Sequence, residues 1–151
     1  MADPADQALA PTAQEDAAKL LDFVGGFAMD MLTRHKSFAP CGAAIDLDGQ
    51  IVQIAAAPDG FDDTRQLYEF MVDQALGQAS DWRAVCFALD TVNADYGDAV
   101  QFNLDFRDHP TGLITLLPYK PGGLWRKAQF GEAIHQTWPS FFFDSSANGS
   151  D

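Results

Sequence analysis

Residues that could do chemistry are few in this chain and lie far apart along it. The histidines are His35, His109 and His135. None has a second His or Cys at a metal-ligand spacing, so no metal site is expected. His35 falls at the end of a predicted helix, where an imidazolium suits the negative end of the dipole. His109 falls in a turn and His135 on a predicted short helix, both at the surface. Cys41, in Pro40-Cys41-Gly42, is the one nucleophile candidate. A thiol becomes a nucleophile when a histidine or a helix N-terminus lowers its pKa. No such partner is visible, and a packed thiol is the simpler reading; Cys86, between Val85 and Phe87, reads as core.

Asp90, Asn93, Asp95 and Asp98 put four oxygen side chains into nine residues around NADYGD. Such a group can hold a divalent cation or serve a small enzyme. The spacing matches no standard cation loop, and Asp, Asn and Gly are ordinary turn formers. The chain has no GxSxG elbow, P-loop or GxGxxG. No catalytic residue and no cofactor is therefore assigned.

The segment from Tyr119 to Lys127 (YKPGGLWRK) stands out by contrast. It gathers Lys120, Arg126 and Lys127, three of nine basic residues, beside Tyr119 and Trp125. Arg107 on the preceding strand could extend the patch. Aromatic and arginine side chains are the commonest interface anchors, so an acidic protein or a small anionic ligand is the expected partner. The competing reading is a solvated connector with Trp125 tucked onto the core. Elsewhere the chain is acidic: 22 Asp and Glu against 9 Lys and Arg give a net charge of −13. That field repels nucleic acid and anionic lipid, so neither is expected as a partner.

The elements that must position these residues follow from pattern. The 47% hydrophobic content is that of a globular chain, and 151 residues suit one domain. Residues 1–11 read as a loose arm, 12–143 as the domain and 144–151 as a disordered tail. Thr12 and Glu15 fit a capping box. The stripe Ala17, Leu20, Leu21, Val24, Phe27, Ala28, Met31 and Leu32 then has helical spacing. Gly25-Gly26 interrupts it, as a close packing contact or a kink. Asp48-Gly49 predicts a two-residue hairpin turn pairing Ile45 with Val52 and Ala43 with Ile54. Asp62-Asp63 opens a second helix, with Leu67, Tyr68, Met71 and Ala75 facing in. Three strands follow, at 84–92, 99–107 and 113–119. In the second, Val100, Phe102, Leu104 and Phe106 face the core, while Gln101, Asn103, Asp105 and Arg107 face out. The third is apolar on both faces and reads as central. A short helix is expected over Phe130–Trp138.

This order of elements resembles the profilin-like and roadblock-like modules. The resemblance implies an α+β fold, with helices on a five-stranded antiparallel sheet ordered 2-1-5-4-3. Separately, GDAVQFNLDFRD followed by LLPYK and FGE resembles a family of small uncharacterised bacterial proteins, which implies no activity. The N-terminal stretch has no basic run leading into an apolar one, and no apolar run approaches the ~18 residues that span a bilayer. A cytoplasmic protein with reduced thiols is the expectation. The functional expectation is a non-catalytic binding or regulatory module, with a homodimer through a sheet edge or helix face as one arrangement. The alternative is a small enzyme using Cys41 or the Asp90–Asp98 carboxylates.

Overall fold

The computed structural model of the chain describes residues 11–34, 39–54, 64–107, 109, 111–120 and 129–143. The fold is α+β. Helix α1 (Pro11–Arg34) leads into strands β1 (Cys41–Asp46) and β2 (Ile51–Ile54). Helix α2 (Thr64–Leu76) and a 3-10 turn (Ala79–Asp81) follow. Strands β3 (Trp82–Asn93), β4 (Gly97–Phe106), β5 (Thr111–Lys120), β6 (Gln129–Phe130) and β7 (Ile134–Pro139) complete the chain. No helix among the described residues is long and apolar enough to cross a membrane.

All strand pairs are antiparallel, in the order β2-β1-β3-β4-β5, with β6 and β7 both pairing with β5. This corrects the expected five strands and the order 2-1-5-4-3. β3 lies beside β1, so its doubly apolar run is flanked by β1 and β4. β5 is interior, yet one step from the edge. The predicted helix over Phe130–Trp138 is instead the β6 and β7 pair. Ile134 and Thr137, both β-branched, are the half-buried positions of β7, a weak pattern for either element.

A helix covers each face of the sheet. On one face α1 buries Ala17, Leu20, Val24, Ala28 and Leu32 against Ala43, Ile45, Cys86, Phe102 and Leu104. Fully burying each large side chain is worth about 1.5–3 kcal/mol. α1 includes Pro11 and Thr12, so Thr12 is not its N-cap. The helix is fastened by Asp16, buried, whose carboxylate accepts two hydrogen bonds from the Arg83 guanidinium at 3.0 and 2.9 Å. On the other face Met71 and Ala75 of α2 meet Val85, Phe87 and Phe142.

The hairpin register differs by one residue from expectation. Ile45 pairs with Ile51 and Ala44 with Val52, leaving a three-residue loop, Leu47-Asp48-Gly49. Asp46 supplies the reason: its Oδ1 accepts from the Asp48 and Gln50 amides at 2.9 Å, which stabilises the longer loop. A one-residue shift changes faces, so Ile51 joins the α1 side with Ile45. Gly49 still takes the left-handed conformation, φ +89. Its missing Cβ would also lie 3.4 Å from the Arg83 guanidinium. Gly49→Val is therefore expected to cost about 1–3 kcal/mol, read as a lower urea midpoint.

Candidate functional site

The sequence-derived candidates are dispersed by the fold. Arg107 donates from Nε to the Trp82 carbonyl at 2.7 Å and from Nη2 to the Ala79 carbonyl, with its guanidinium 5.0 Å over the Phe143 ring. β4 pairs Ala99 with Pro118 and Leu104 with Leu113. Arg107 and Tyr119 are thus about nine residues apart along the sheet, roughly 30 Å at the rise of a strand. Arg107 is therefore not a neighbour of Tyr119 on the sheet. Tyr119 is buried, and its hydroxyl donates to Asp90 Oδ1 at 2.6 Å. Lys120 is exposed. Trp125, Arg126 and Lys127 lie outside the described residues, as does His35.

The acidic turn serves the hairpin. Asn93 Oδ1 accepts from the Asp95 and Tyr96 amides, and Gly97 takes φ +75. No group of three or more metal-ligating side chains occurs among the described residues. Burial raises the Asp90 pKa, with Asp98 adding to the effect and the Tyr119 hydrogen bond opposing it.

Both cysteines are buried and unpaired with each other. Burial pushes the Cys41 thiol up to about 11, opposite to the shift a nucleophile needs. Burial likewise raises Cys86, and it lifts the Tyr68 phenol to about 12. Tyr119 is raised further, by burial and then by the Asp90 carboxylate it donates to. All are groups that stay neutral in the folded protein while the unfolded chain would ionise. The native state then binds more protons, so stability is fully present below pH ~9 and falls as pH climbs toward about 12. The urea midpoint should drop between pH 8 and pH 10.5, and a flat profile would show these groups to be solvated.

The fold instead opens a groove on the flank of α1, where the helix ends its cover of the sheet. The cavity measures about 220 Å³. Its helical wall is Asp22, Gly25, Gly26 and Met29, the i, i+3, i+4, i+7 spacing of a single helix face. Its sheet wall is Phe102 of β4, Thr115 and Leu117 of β5, and His135 of β7. Thr115 is only 2% exposed, and its hydroxyl oxygen lies 2.8 Å from His135 Nδ1. His135 is on a strand rather than a helix, and is exposed as expected. A second cavity of about 230 Å³ lies further along β5, between Tyr96, Tyr119 and Phe130.

The glycine pair shapes the groove. α1 runs unbroken through it, and neither glycine has a positive φ. A Cβ on Gly26 would meet nothing within 4 Å, and one on Gly25 would touch only Phe102, at 3.8 Å. Close packing therefore does not demand glycine. Two mid-helix glycines still cost about 0.5–1 kcal/mol each relative to alanine. Gly26→Ala is expected to stabilise the protein by about that amount, raising the melting temperature. An unchanged or lower value would mean the position is under a constraint the geometry does not contain.

Sequence reasoning noted the glycines but missed the groove. The available signal was the second stripe, Asp22, Gly25, Gly26 and Met29, beside the burying one. Comparison with protein-family models, with curated proteins and with solved structures finds no match for the chain.

Proposed function

We propose that the chain is a non-catalytic binding module whose ligand site is the groove between α1 and the β4-β5-β7 surface. The observation that carries this reading is the glycine pair. It weakens the helix, answers to no backbone or packing need, and leaves open a cavity that side chains would narrow. The remainder of the wall fits a small-molecule site: mostly apolar, with a few polar groups at defined places. The enzyme alternative loses support at Cys41, whose thiol is driven toward its neutral form. It loses support also at the NADYGD turn, where Asn93 holds the backbone and Asp90 accepts from Tyr119.

The test is a fragment screen by saturation-transfer NMR on the wild type and on a blocked variant carrying Gly25→Ala and Gly26→Leu. Both changes raise helix propensity, so the variant should melt no lower than the wild type. Fragments that bind the wild type should lose their signal in the variant. Retention of the same binders by the variant would place the site elsewhere.

A further inference from the structure

The charge and size of the groove narrow its ligand. We propose that it takes a small amphipathic amine, one ring or short alkyl body bearing a protonated amino group that pairs with Asp22. This rests on the groove being the ligand site. Size comes first. An engineered cavity of about 150 Å³ in another protein accommodates benzene, so about 220 Å³ admits a ring with a short chain. Phe102, Leu117 and Met29 provide the apolar surface for that body.

Charge decides the polar end. Asp22 is the one charged side chain on the described wall, and no hydrogen bond or ion pair engages it among the described residues. It shares the helix face of the glycines, one turn before them, and lines the end of the same groove. Lys19, one turn earlier, is the nearest cation on this helix, and its Nζ donates instead to the Gly49 carbonyl at 2.7 Å. A ligand carboxylate would face Asp22 with no Lys or Arg on the described wall to compensate. An ammonium group would pair with it, and the overall charge of −13 raises the local concentration of cations. On the opposite wall His135, held through Nδ1 by Thr115, keeps Nε2 for a polar atom at the other end of the ligand.

Asp22 is exposed, so the ion pair adds selectivity rather than most of the affinity. An exposed pair is worth up to about fivefold in binding. Three probes of similar shape separate the possibilities: 2-phenylethylamine, 2-phenylethanol and 3-phenylpropanoate, titrated by NMR against the wild type, Asp22→Asn and the blocked glycine variant. The amine should bind the wild type about fivefold more tightly than the alcohol, with the carboxylate weakest. Asp22→Asn should erase that order, and added salt should reduce it. If the alcohol or carboxylate equals the amine in the wild type, or if Asp22→Asn changes nothing, the amine assignment falls while the groove stands. If none of the three binds, or if the blocked variant binds them equally well, the groove reading itself falls and this one with it.

Discussion

The Asp105→Ala variant should be less stable than the wild type by about 3–5 kcal/mol, because two buried amides lose their acceptor at about 1–3 kcal/mol each. Asp105 is fully buried on β4. Its Oδ2 accepts from the Ser140 hydroxyl at 2.8 Å and from the amides of Phe141, Phe142 and Phe143 at 3.2, 2.8 and 2.9 Å. One carboxylate thereby fixes the chain after β7 onto the α2 face of the sheet. Alanine would leave the Phe142 and Phe143 amides buried with no acceptor at this position. Gly112 on β5 leaves room for the arrangement: a Cβ there would collide with the Leu104 carbonyl and lie 3.2 Å from Asp105 Oδ1. Asp105→Asn keeps an acceptor but loses the charge, so it should fall between alanine and wild type. Urea unfolding measures all three, and a loss below 1 kcal/mol for alanine, a threshold set by the ordinary neutral hydrogen bond, would show that Asp105 is not the anchor.

Phe142→Ala should cost a similar amount, about 3–5 kcal/mol, because it removes a fully buried aromatic ring. Phe142 stacks on Trp82 with centroids 6.4 Å apart, and its ring centre lies 5.5 Å from that of Phe87 and 5.1 Å from that of Phe143. It belongs to the cluster on the α2 face with Met71, Ala75, Val85 and Phe87. Asp105 and Phe142 hold the same short segment. Once either is lost the segment loosens, so the double variant should lose less than the sum of the singles. Strict additivity would mean that the two act on separate parts of the core.

These anchors also mark where sequence pattern stops being informative. Alternation along β4 correctly places Val100, Phe102, Leu104 and Phe106 against α1. It places Asp105 outward too, and outward is a second core here, because α2 and Phe141–Phe143 cover that face. A polar residue that satisfies backbone donors from a distant segment looks the same in sequence as a solvated one. The α1 stripe is legible because its buried positions are apolar and helically spaced. Phe27 is the exception, 42% exposed at the margin of the stripe. Helix α2 is legible for the same reason at Met71 and Ala75. β7 is not, since its half-buried residues, Ile134 and Thr137, are three apart and so on opposite faces, while His135, Gln136 and Trp138 are exposed. The hairpin shows a finer limit: the turn glycine is evident, but the register depends on which amides Asp46 caps.

The groove was only half legible. Its glycines interrupt the helix visibly, whereas their meaning depends on what faces them. Phe102, Thr115 and His135 come from three strands, and one of those strands is the element that sequence reads as a helix. The most direct test of the groove is amide chemical-shift mapping of the wild-type protein titrated with 2-phenylethylamine. Shifts concentrated at Gly25, Gly26, Phe102, Thr115 and His135 are the predicted result. Shifts concentrated instead around Tyr96, Tyr119 and Phe130, or spread without a centre, would contradict it.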